Sequence, residues 1–254
     1  MIQRVLKAGF LAGLVVGLAI AVLQHFTTSQ LILQGEVYEK AAHARHAAAF
    51  VPALPIVLVH DHASAAASAD VDASEDEGWQ PENGWQRITA TSVATVATSI
   101  GYALILLAAM LAAGVPIVPR IAVLWGVAAF AATSLAPALG LSPELPGAAV
   151  APLLSRQMWW LLTALCTAGG IFLIARLHYT SAKLVGAVLL VLPHVIGAPK
   201  PATFKSTAPA ELAAQFAATS IVVSAVLWAL LGLAVGYVWQ RLAVRQQSSA
   251  PLPA

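Results

Sequence analysis

Six stretches of this chain are apolar and long enough to cross a bilayer, and they constrain its fold more than any other feature. Of the 254 residues, 59% are hydrophobic and only 9% are charged. Soluble domains carry about 25% charged residues. A chain this apolar cannot cover its core with a polar surface, so lipid is its solvent. A hydrocarbon core of about 30 Å takes about 20 apolar residues per helix. The spans read as about 8–23, 88–112, 117–139, 158–175, 182–198 and 213–238. The expected fold is all-α: one polytopic integral membrane helix bundle over residues 1–254, with six transmembrane helices.

The first span carries an alternative. Arg4 and Lys7 precede it, and Ala19-Ile20-Ala21 resembles a signal-peptidase site. Cleavage there would leave five spans. Against cleavage, Gly9, Gly13 and Gly17 form a double GxxxG, a spacing that brings membrane helices into close contact. Gly232 and Gly236 repeat it in the last span.

Basic residues in short loops set orientation. Arg4, Lys7, Arg120, Arg176, Lys183, Arg241 and Arg245 fall on one side; Arg156, Lys200 and Lys205 fall in the short loops of the other. The richer side is expected to be cytoplasmic, which puts both termini inside. Trp159 and Trp160 after Arg156, and Trp239 with Arg241, read as interfacial aromatic belts.

Six of the seven histidines then fall outside. The outer segment 24–87 is the longest connection. Its first part, LILQGEVYEKAAHARHAAA, reads as an amphipathic helix with His43 and His46 on one face. Its middle is small, polar and acidic, which predicts disorder. His60, Asp61 and His62 place two imidazoles and a carboxylate within three residues, ligand types that suit Co²⁺, Ni²⁺ or Zn²⁺. No C-x-x-C or H-E-x-x-H pattern accompanies them to fix a geometry.

Ionisable groups inside spans are costly and mark function. His194 follows Pro193 in the shortest span, where proline removes a helix donor and suggests a broken helix. His25 ends the first span, and Glu144 lies in the Pro/Gly-rich connector APALGLSPELPG. Thr91, Thr95, Thr98 and Tyr102 recur at i, i+4, i+7 and i+11, a polar stripe on one helix sector. Such a stripe lines a passage or bonds helices together.

Other classes lack their signatures. The net charge of +2 does not suit nucleic acid. No phosphate loop, hydrolase constellation or dinucleotide fingerprint is present, so an enzyme is not expected. Cys166, the only cysteine, reads as a buried hydrophobe.

Several segments together resemble the CbtA family of predicted cobalt transporter subunits. They are RVLKAGFLAGLVVGL, LILQGEVYE, HDH with EDEGWQPENGWQR, LAPALGLSPELPG with RQMWW, and LPHVIGAPKP leading to PAEL. The resemblance implies a bacterial inner-membrane protein of five or six spans, cobalt uptake linked to cobalamin synthesis, and a small single-span His-rich partner. It places His60, His62, Glu144, Arg156 and His194 on family motif positions. Relatives often carry a denser histidine run between HDH and WQP, where this chain has mostly Ala and Ser.

Three functions follow as expectations. In the first, a transition-metal ion, cobalt above nickel or zinc, gathers at outer His and acidic residues and passes His194, His25 and Glu144 to the span 2 stripe. The second is a scaffold or assembly subunit with no ion path. The third is an electron-transfer subunit with haem between His25 and His194. No resident cofactor is otherwise expected.

Overall fold

The computed structural model describes residues 1–49 and 81–248. Seven helices build it: α1 (Ile2–Phe26), α2 (Thr28–Ala49), α3 (Trp85–Ala112), α4 (Pro119–Ala138), α5 (Leu153–Arg176), α6 (Thr180–Ile196) and α7 (Ala210–Ser248). No strand occurs among the described residues. Five helices, α1, α3, α4, α5 and α7, are long and apolar enough to cross a membrane. The sixth expected span, α6, has 17 residues, roughly 26 Å at 1.5 Å per residue. It lies at the short limit for a bilayer crossing.

Helix directions alternate, so the bundle has two ends. At the end where α1 starts and α7 finishes, Arg4 Nη2 donates to the Trp239 carbonyl at 2.7 Å and its guanidinium lies 3.9 Å above the Trp239 ring. Arg176 reaches the Ala113 carbonyl at the same end. The opposite end, called the loop end below, gathers the finish of α1, α4 and α6 with the start of α3, α5 and α7.

Two antiparallel seams carry the packing, α1 on α3 and α4 on α7. Water does not drive helices together inside lipid, so close approach and interhelical bonds must do it. The glycines of the expected GxxxG motifs supply that approach. A Cβ on Gly13 would strike the Ile100 backbone, and one on Gly17 would lie 2.7 Å from Val96 Cα. On the second seam, a Cβ on Gly232 would lie 2.5 Å from the Ala122 carbonyl oxygen. Both motifs are therefore filled by helices of this same chain. The core between the seams holds Ala8, Ala12, Val16 and Ile20 of α1, Leu107 and Met110 of α3, and Trp228, Leu231 and Val235 of α7. Span 1 thus supplies a central face of the bundle.

A third seam joins α5 to α6, where a Cβ on Gly170 would lie 2.7 Å from the Gly186 carbonyl oxygen. The break expected at Pro193 is absent. Helix α6 continues through it to Ile196, and Gly197, at φ 86°, ends the helix by donating to the Pro193 carbonyl. Proline still denies the Leu189 carbonyl its helix donor, but the helix runs only three residues further before Gly197 ends it.

The segment expected to be an amphipathic helix is helical as α2. Its polarity is divided along its length more than across its faces. The apolar start docks through Leu31 onto Leu145, Ala208, Leu212 and Phe216, a small second core at the loop end. The expected disorder at mid-segment, and His60, Asp61 and His62, lie outside the described residues.

Candidate functional site

The start of α5 organises the loop end. Pro137 has no N–H to offer the Thr133 carbonyl four residues earlier. Helix α4 answers with a π turn over Ala131–Leu135, and Trp160 Nε1 donates to the Thr133 carbonyl at 3.1 Å. Such turns are frequent at functional sites. The neighbouring Trp159 faces the other way. Its Nε1 donates to the Pro193 carbonyl at 3.2 Å, and its ring meets His194 edge to face with centroids 6.0 Å apart. Only 6% of Trp159 is exposed, so it is a buried clamp between α5 and α6 and not the belt residue expected. One turn earlier, Arg156 Nη2 donates to Glu144 Oε2 at 2.6 Å, and its Nε is buried without a partner.

A cavity of about 590 Å³ opens beside this ion pair. The π turn offers Thr133 and Ser134 to it, α7 offers Ser220 and Ser224, and α5 offers Gln157, while Pro137, Leu141, Leu153, Leu161 and Ile221 leave most of the wall apolar. A smaller cavity of about 330 Å³, walled by α6's exit at Ala198–Pro201, shares Ser142 and Glu144 with the first. Glu144 thus lines both.

The span 2 stripe is partly brought together. Thr91, Thr95 and Thr98 line a cavity of about 320 Å³ with Gln24 and Thr28. Thr95 Oγ1 donates to Gln24 Oε1 at 2.9 Å, which ties α3 to α1. Tyr102 lies outside that cavity's wall and stacks on Trp228, centroids 4.9 Å apart. The stripe therefore lines a pocket at the loop end and bonds helices in the same place.

The expected ligands are distributed. His25 is half-buried at the end of α1, edge to face with Phe26. His194 is half-buried beside Trp159, and His43 is exposed on α2. His46 is in α2, but its side chain is outside those described. Among the described residues, no three His, Cys, Asp or Glu side chains converge enough to hold a metal ion. Around the two cavities that share Glu144 the described residues offer hydroxyls, an amide and that one carboxylate, oxygen chemistry and not an imidazole cage.

A second ion pair, unforeseen from sequence, closes the α2–α3 junction. Arg87 forms a two-pronged bond with both Glu36 oxygens, one at 2.9 Å, and also donates to Asn83 Oδ1 at 3.1 Å. The Arg87 hydrogen bonds come first, and with the Arg87 and Lys40 charges they hold the Glu36 carboxyl below the usual carboxylate range, against partial burial. Gln24, Gln157, Ser220 and Ser224 were also unforeseen. Ser220 and Ser224 stand at i, i+4 on one helix face, a spacing that could have marked them; Gln24 and Gln157 are isolated polar residues in or near apolar spans.

A protein-family model described as "Probable cobalt transporter subunit (CbtA)" matches residues 2–240. No curated protein matches the chain, and no solved structure does.

Proposed function

The chain belongs to the CbtA family of probable cobalt transporter subunits, and on that premise we propose that it is the ion-conducting membrane component of a cobalt uptake system. The observation that carries this reading is Glu144, a carboxylate lining two neighbouring cavities at the loop end of a helix bundle. An ionisable side chain in or beside membrane-spanning helices marks a candidate ion path. The loop end is the outer face, and the basic termini end is cytoplasmic, in a bacterial inner membrane. The ion gathers at His60, Asp61 and His62 with His43 and His46. It then moves to Glu144, His194 and His25, and Thr91, Thr95 and Thr98 hold a pocket beside Gln24.

The family description implies a multi-component system, so a partner completes it; we assign that role to a small single-span His-rich protein. The work is transport and not catalysis. Co²⁺ is the substrate. Ni²⁺ and Zn²⁺ compete by the same ligand chemistry, since selectivity comes from geometry.

The test is cobalt accumulation in cells expressing the chain with and without its partner, beside a His60→Ala/His62→Ala/His194→Ala variant. Accumulation that needs the histidines supports the reading. Equal accumulation by the variant removes the histidines from the path, and none in any form leaves the chain a scaffold.

A further inference from the structure

The two ion pairs at the loop end are built differently. Arg87 grips both oxygens of Glu36 and adds Asn83. Arg156 holds Glu144 by one bond only, its Nε has no partner, and both side chains keep partial solvent contact. A two-pronged pair fixes geometry, whereas a one-point pair can open. The single-point pair lines the larger cavity together with Gln157 and the hydroxyls of Thr133, Ser134, Ser220 and Ser224.

Size argues for what enters. One water occupies about 30 Å³ of liquid, so an ion with six waters needs on the order of 200 Å³. The cavity of about 590 Å³ admits it with room for further water. Hydroxyls and an amide can accept hydrogen bonds from coordinated water. They are poor direct ligands for a borderline metal. No cage of three metal-binding side chains stands among the described residues.

We propose that this cavity takes up a divalent metal ion with its water shell, and that Glu144 and Arg156 form its latch. Arg156 neutralises Glu144 while the cavity is free of metal. An arriving dication competes for the carboxylate, Arg156 lets go, and the ion is held through water by Glu144 and the surrounding hydroxyls. When the ion leaves, Arg156 closes again. The proposal rests on the uptake reading above and adds to it the form of the ion and the competing cation.

Co²⁺ uptake by cells expressing the full chain with its partner tests it, measured over a concentration series at matched protein levels. Glu144→Gln raises the half-saturating concentration about tenfold, because the only carboxylate in the cavity is lost. Arg156→Gln lowers it, because the competitor is lost. A purely structural pair predicts the opposite pattern, with both variants impaired alike, and that result overturns the latch. The double variant Glu144→Gln/Arg156→Gln keeps two amides able to bond each other. It therefore separates folding from binding: half-saturation restored to the parental value also overturns the proposal.

If the parent chain takes up no cobalt, the transport reading fails by itself. Cavity occupancy is then read on the purified chain by Co²⁺ quenching of tryptophan emission. A quenched component that disappears in both Trp160→Phe and Glu144→Gln supports the site, and the absence of such a component overturns it.

Discussion

Trp159 binds the Pro193 carbonyl through its indole N–H and touches His194 with its ring, so one side chain sets both the backbone and the histidine at the end of α6. The Gly197 N–H donates to the same carbonyl. Gly140 leaves room for the ring: a Cβ there would lie 2.5 Å from it. Trp159→Phe keeps most of the ring and removes one donor, while Gly197 still satisfies the carbonyl. The expected cost is about 1 kcal/mol. Trp159→Ala opens a cavity under His194 and costs about 3–5 kcal/mol. Thermal unfolding of the purified protein in detergent gives both values, and equal midpoints for Phe and Ala would show that the ring does not clamp the two helices.

The glycine seams make a second prediction with an internal control. Gly13→Ala drives a Cβ into the Ile100 backbone, which cannot swing aside as a side chain can. Overpacking of this kind costs about 1–3 kcal/mol. Gly101→Ala lies in the middle of α3 with nothing within 4 Å of the new atom. It gains helix propensity of up to about 1 kcal/mol. The two variants should therefore move the unfolding midpoint in opposite directions, and parallel shifts would contradict the α1–α3 packing.

These seams also show what was legible in the sequence. Spacing alone marked Gly9, Gly13, Gly17, Gly232 and Gly236, because a GxxxG repeat is local and its consequence is steric. The long apolar helices were legible for the same reason, since hydropathy is summed over neighbours, and five of them are long and apolar enough to cross a membrane. The pairings were not. Glu36 and Arg87 are 51 residues apart, and Trp159 and Pro193 are 34 apart. Long-range bonds of that kind leave no periodicity. Pro193 misled because proline weakens a helix without always ending it: the Leu189 carbonyl loses its usual donor, yet α6 runs on to Ile196. Thr95 was marked as polar, but its bond to Gln24 needed the α1–α3 register.

Orientation yields a third prediction. Alkaline phosphatase fused after Pro143 should be active, because the connector between α4 and α5 lies at the loop end, which the proposed topology turns outward. Fusion after Tyr179, between α5 and α6, should be inactive. A reversed pattern would invert the membrane topology and place the Glu144 cavities on the cytoplasmic side.

The Glu36–Arg87 pair predicts an acid sensitivity of the α2–α3 junction. The Glu36 pKa is lowered in the folded chain, first by hydrogen bonds from Arg87. Folding therefore favours the ionised carboxylate, and the unfolded chain binds its proton more readily. The stabilisation is fully present above the unfolded carboxylate pKa of about 4.3 and is lost as pH falls through the lower folded value. Solvent contact at both side chains keeps its size to no more than about 1 kcal/mol. Glu36→Gln lacks this titration. The gap in unfolding midpoint between parent and variant should be constant near neutral pH and close as the pH drops below about 4. Arg87→Lys keeps the charge but not the two-pronged geometry, so it should lose part of the gap at neutral pH. A gap that persists at low pH would mean that Glu36 acts through packing against Arg87 and not through its charge.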